Sequence, residues 1–134
     1  MTPIFPFYTA IYAAILGLLA AILTINVIVN RVRAKVQTGD GGVAALAQAI
    51  RAHGNFAEQT PIALLLIGLV EGLGYRAPIA IGLGAVLLLA RLFSAWGLNS
   101  SLGLTFGRQA GATLSILVTL AAAALILYAA INMH

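Results

Sequence analysis

The sequence predicts a single all-α domain, residues 1–134, embedded in a membrane as a bundle of four transmembrane helices. Composition is the first reason: 62% of the residues are apolar and 7% are charged, whereas a soluble domain carries charge on about a quarter of its positions. Most of the surface must therefore face lipid. The second reason is punctuation. Turn-forming segments at residues 37–42, 72–76 and 99–107 divide the chain into four apolar stretches, each long enough, at about 1.5 Å per residue, to cross a hydrocarbon core of about 30 Å. The third is the placement of the basic residues, which collect at one end of those stretches.

The first helix is expected over about Phe7 to Val29. No basic segment precedes it and Arg31, Arg33 and Lys35 follow it, so it reads as a retained span with its N-terminus outside and not as a signal peptide. Asn26 and Asn30 stand one turn apart near its basic end; Asn26 suits a helix–helix hydrogen bond at least as well as a ligand contact, and Asn30 suits interfacial solvation. Gln37 to Gly42 form a turn, with Asp40 near the start of the next helix. The second helix is expected from about Val43 to Gly72, bent just past Glu58 because Pro61 removes the hydrogen bond to Ala57. Gly72 to Arg76 turn the chain again, and Pro78 fits the first turn of a third helix over about Ala77 to Leu98. A third connection, Asn99 to Gly107, leads to a fourth helix from Arg108 to about Asn132. Small-residue pairs at Gly68/Gly72, Gly103/Gly107 and Gly107/Gly111 permit close helix approach, although fourteen glycines in the chain produce such pairs by chance as well.

Sidedness follows from the basic residues. With the N-terminus outside, Arg31, Arg33, Lys35, Arg51, Arg91 and Arg108 fall toward the cytoplasm, and only Arg76 falls outside. Topology accounts for the loop cations. It does not account for Arg51 and Arg91, which stand inside helices where charge is expensive. No basic cluster interleaves with aromatic residues, so nucleic acid is not an expected partner. Cysteine is absent, which removes disulfides, a thiolate nucleophile of the chain's own and thiolate metal sites; no metal site is expected.

The polar residues concentrate in Arg51-Ala52-His53-Gly54-Asn55-Phe56-Ala57-Glu58-Gln59-Thr60-Pro61. Successive helical residues turn by about 100°, so Arg51, Asn55 and Glu58 share one face and His53 points elsewhere. Together with Arg91 and Arg108, this face carries more cations than Glu58 can neutralise. Either water and backbone carbonyls solvate the excess, or a ligand with more than one carboxylate does. Such a ligand would use Glu58 for an ammonium group and Asn55 for an amide. The plainer alternative is an intrahelical Arg51–Glu58 system that fixes packing, with Arg91 bound to a carbonyl or snorkelling. His53 alone suits packing or a neighbouring subunit.

Arg51-Ala52-His53-x-Asn55-x-x-Glu58, followed by Pro61, resembles the second-helix signature of the MAPEG family, the membrane-associated proteins of eicosanoid and glutathione metabolism. Asn26 to Arg31, Ala90-Arg91-Leu92 and Arg108 stand where that family has its basic positions, so the resemblance covers nearly the whole chain. It implies four-helix protomers in a homotrimer, with glutathione held between adjacent subunits and open to the cytosol. It further implies that Arg31, Arg51, Asn55 and Glu58 hold glutathione, with Asn26 and Arg91 beside them. His53 would reach the ligand from a neighbouring subunit and Arg108 would stabilise the thiolate. The family's helix-three tyrosines are absent; Ser94 and Leu98 stand at the matching positions, which leaves Ser94 as a weaker hydrogen-bond donor and counts against eicosanoid substrates.

The expected activity is a glutathione transferase, with peroxidase activity as a variant, acting on small lipophilic electrophiles that enter from the bilayer. Glutathione is the one co-substrate this chemistry requires. Two rivals stand beside it. A small proton-coupled multidrug transporter would use Glu58, but the surrounding guanidinium groups repel cationic drugs. A non-catalytic lipid-binding or scaffold protein would need none of the chemistry.

Overall fold

The computed structural model describes residues 5–100 and 106–132, with residues 98–100 as backbone only. It contains α1 (Phe7–Ala34), α2 (Ala44–Gly72), α3 (Ala77–Ser100) and α4 (Phe106–Asn132), an up-down-up-down helical bundle. Three of them, α1, α3 and α4, are long and apolar enough to cross a membrane on composition alone. The fourth, α2, has 29 residues and matches them in length. It falls short in hydropathy because it carries the polar stretch, and with α1, α3 and α4 it makes up the expected four-helix bundle.

Most boundaries lie within two residues of expectation. The exception is α1, which continues five residues beyond Val29, because its hydrogen bonding runs on past the apolar segment through Arg31 and Arg33. It stops where Lys35 takes a left-handed conformation (φ 56°, ψ 37°), with the Val36 amide donating to the Arg31 carbonyl at 3.1 Å. In the following loop Asp40 Oδ1 accepts from the Gly42 amide at 2.9 Å. Asp40 thus shapes the turn, and Val43 caps α2 without a side-chain bond. Pro61 lies inside α2, which runs unbroken through it. The α2–α3 turn closes at Gly74, whose φ of 84° is a conformation that favours glycine.

In cross-section the bundle is a rhombus. α2 and α3 pack together at its centre, α1 and α4 each pack against both, and among the described residues α1 and α4 do not meet. The core draws Leu16 and Leu23 from α1, Phe56 and Ile67 from α2, Leu87 from α3 and Val118 from α4. The α3–α4 contact is the most extensive and is tight. A Cβ on Gly111 would stand 2.1 Å from Ser94 Oγ and 2.5 Å from the Ala90 carbonyl, and one on Gly107 would stand 3.0 Å from the Phe93 carbonyl. The Gly107/Gly111 pair is therefore used as a packing surface, while Gly68 meets only Thr9, at 3.5 Å; Gly103 lies outside the described residues. Outside the core the helices expose large apolar side chains, among them Leu18, Ile22, Leu65, Leu120 and Leu127, as lipid-facing surfaces do.

Candidate functional site

Two seams run along α2. Leu46, Ala49, Ala52, Phe56, Ala63 and Ile67 turn inward and are buried. Arg51, Glu58, Ile62, Leu65 and Leu69 turn outward, at the three-and-four spacing of one helical face, and are exposed. Asn55 sits at the edge between the seams, half-buried.

Arg91 fills the space behind that edge. It is 1% exposed and reaches from α3 to α2 and α4. Its Nη1 donates to Asn55 Oδ1 at 3.0 Å and to the Asn55 carbonyl at 3.3 Å. Its Nη2 donates to Gln59 Oε1 at 3.1 Å, to the Gly111 carbonyl at 3.0 Å, to Ser94 Oγ at 3.3 Å and to Ser115 Oγ. Every acceptor is neutral. A buried guanidinium is tolerated when its donors are met, and here five residues of α2, α3 and α4 meet them; only Nε has no partner. Ser94 is 4% exposed and lies under Gly111. Neither Arg91 nor Ser94 is open to a ligand in this protomer unless α4 moves, so the direct contacts expected of them give way to an internal anchor that fixes Asn55.

The outward face is the opposite case. Among the described residues Arg51, His53 and Glu58 have no hydrogen-bond or ion-pair partner, and the intrahelical Arg51–Glu58 pair weighed from the sequence does not form. Glu58 lines a cleft of about 230 Å³ between α2 and α4, with Gln59, Ile62, Ser115, Ile116 and Thr119. Arg108 is half-buried in the first turn of α4.

The remaining expected residues lie on α1. Asn30 Nδ2 donates to Asn26 Oδ1 at 3.0 Å and to the Asn26 carbonyl at 2.8 Å, so Asn26 bonds within α1 and not across helices. The pair borders a groove of about 420 Å³ with Ala45 and Gln48. Arg31 Nη1 donates to the Gln37 and Gly39 carbonyls at 3.2 and 2.8 Å, which ties it to the α1–α2 loop.

Two residues went unrecognised in the sequence. Gln59 follows Asn55 by one helical turn, and that spacing was the available signal. Glu71, 5% exposed, is a deeply buried carboxylate to which the sequence reading gave no role. It accepts from the Tyr8 amide at 2.9 Å, the Thr9 amide at 2.8 Å and the Thr9 hydroxyl at 2.7 Å. It thereby satisfies the opening amides of α1, which has no acidic residue in its first turn and no side-chain cap at Pro6.

A family model described as the MAPEG family matches residues 9–128. The chain belongs to the MAPEG family. This MAPEG protein is also 36% identical over 94 residues to the inner membrane protein YecN of Escherichia coli strain K12, covering 70% of this chain and 72% of YecN. YecN of Escherichia coli O6:H1 matches to the same extent. With three apolar spans and an inner-membrane relative, this MAPEG protein is a multi-pass integral membrane protein.

Proposed function

We propose that this protein binds glutathione between the protomers of a homotrimer, on the cytoplasmic side, and transfers its thiolate to small lipophilic electrophiles from the bilayer. One observation carries the reading: Arg51 and Glu58 stand on a membrane helix with no partner among the described residues, where unpaired charge costs several kcal/mol. A ligand with two carboxylates and one ammonium, seated where a second protomer covers this face, completes both. Arg51 takes a carboxylate, Glu58 takes the ammonium, and Asn55 donates from Nδ2, since Arg91 occupies its Oδ1. His53 approaches from the neighbouring protomer. Arg31 and Asn26 are left out of this set, because each lines a groove other than the cleft beside Glu58.

Arg108 is placed at the thiol. At the start of α4 its guanidinium adds to the partial positive charge of the helix N-terminus, and positive charge near a thiol lowers its pKa and raises the thiolate fraction. The thiol proton passes to water. The thiolate sulfur then forms a bond to the electrophilic carbon as the leaving group departs with its electron pair. Nearby cationic charge supplies the activation that a general base supplies elsewhere.

The test is isothermal titration of the detergent-solubilised protein with glutathione, followed by the ultraviolet absorbance of bound thiolate against pH and by kinetics with a chloronitrobenzene. Arg108→Ala should raise the apparent thiol pKa and lower kcat while leaving affinity nearly intact. Absence of glutathione binding, together with proton-coupled drug efflux that Glu58→Gln abolishes, would transfer the site to the transporter reading; binding without turnover would leave the scaffold reading.

A further inference from the structure

A second groove opens at the basic end of α1, away from the outward face of α2. It has a volume of about 450 Å³ and is lined by Ile28, Arg31, Val32, Lys35, Val36 and Gln37. Its outer wall has an order to it. Ile28 and Val32, which line it, are 54% and 72% exposed, Ile25 just beyond the groove is 58% exposed, and with Lys35 they follow the three-and-four spacing of one helical face, so an apolar stripe ends in a cation. Arg31 stands on the inner side. Its Nη1 is held by two loop carbonyls, which fixes the guanidinium while Nε and Nη2 keep their donors. No acidic side chain lines the groove, and Asp40 Oδ1, in the adjoining loop, is turned to the Gly42 amide.

Lys35 supplies an independent indication. It holds the left-handed position that ends α1, with φ 56°, where glycine is the usual occupant and any other residue is strained. The neighbouring positive-φ positions at 39, 41 and 42 are all glycine. A lysine occupies this place at a cost to the backbone, and its ammonium has no partner among the described residues.

We propose that this groove binds an anionic glycerophospholipid, its headgroup phosphate between Lys35 and Arg31 and its first acyl carbons along Val32, Ile28 and Ile25. The apolar stripe decides for a lipid over a free anion, because a soluble phosphate has no use for three exposed branched side chains above its cations. A zwitterionic headgroup brings its own ammonium to the same two cations and is disfavoured by like charge.

The experiment is native mass spectrometry of the full chain in detergent, titrated with dioleoylphosphatidylglycerol or dioleoylphosphatidylcholine. Phosphatidylglycerol should bind one molecule per protomer in preference to phosphatidylcholine. Lys35→Gln should weaken it about fivefold and Lys35→Glu roughly 25-fold, following the typical contribution of one basic residue at a membrane surface. Lys35→Arg should preserve binding. Lys35→Gly separates recognition from folding: it relieves the left-handed backbone, so the melting temperature should hold or rise while the lipid preference is lost. Equal binding of the two lipids, or Lys35→Gly with its preference intact, would overturn the proposal. Displacement of phosphatidylglycerol by millimolar inorganic phosphate would make this a free-anion site, and displacement by glutathione would make it an arm of the glutathione site; either result overturns it without deciding whether glutathione binds at the α2 face.

Discussion

Arg91 and Arg51 are the same residue type on adjacent helices, and the bundle treats them in opposite ways. Arg91 is enclosed by neutral acceptors from three helices. Arg51 is exposed and has no partner among the described residues. A cation whose donors are met inside its own protomer contributes to architecture, whereas one left unmet in a membrane helix marks a surface that something else must complete. Glu71 and Glu58 repeat the contrast among the carboxylates, one receiving three hydrogen bonds and the other none among the described residues.

Substitution at the two arginines tests the contrast most severely. Arg91→Leu should destabilise the protomer by about 3–5 kcal/mol, because several buried acceptors lose their donor together at on the order of 1–3 kcal/mol each. Denaturant unfolding in detergent measures it, and a loss near zero would remove Arg91 as the anchor. Arg51→Ala should change stability by no more than about 0.5 kcal/mol. It should instead weaken glutathione binding by about 2–5 kcal/mol, the usual penalty for truncating one member of a desolvated charge pair. Titration of both variants either separates the two roles or merges them.

Gly111→Ala sharpens the same comparison from the α4 side. The new methyl group would meet the Ala90 carbonyl at 2.5 Å as well as Ser94 Oγ, and a backbone carbonyl cannot rotate away, so a cost of about 1–3 kcal/mol is expected. Gly17→Ala is the control, since its Cβ meets nothing within 4 Å and alanine is favoured over glycine in a helix by about 1 kcal/mol. A further effect is expected at the other end. Glu71→Gln keeps the shape and removes the charge that the Tyr8 and Thr9 amides share, which should lower the melting temperature by the equivalent of about 1–2 kcal/mol. It should leave glutathione affinity unchanged.

Sequence alone carried the class, the four helices and the Arg51/Asn55/Glu58 face, because apolar run length and helical periodicity are local properties of the chain. Partner choice is not local. Whether Arg91 meets a ligand or Gln59, Gly111 and Ser115 depends on how closely α4 approaches, and that closeness depends on a single missing Cβ at Gly111. The end of α1 was misread for another reason. Hydropathy measures the thickness of the oil, whereas the helix persists until the backbone at Lys35 changes hand. Glu71 gave no signal of its role, because the three groups that donate to it lie more than sixty positions away.

That last separation bears on how the protein is made. α1 leaves the ribosome first, but the opening amides at Tyr8 and Thr9 meet their acceptor only when the far end of α2 has been synthesised and brought alongside. Until then the first helix is an unfinished insertion intermediate, its start unsealed at the edge of the bilayer. α1 and α2 therefore mature as one hairpin, and a truncation before Glu71 should leave an anchored fragment that membrane proteases recognise as incomplete.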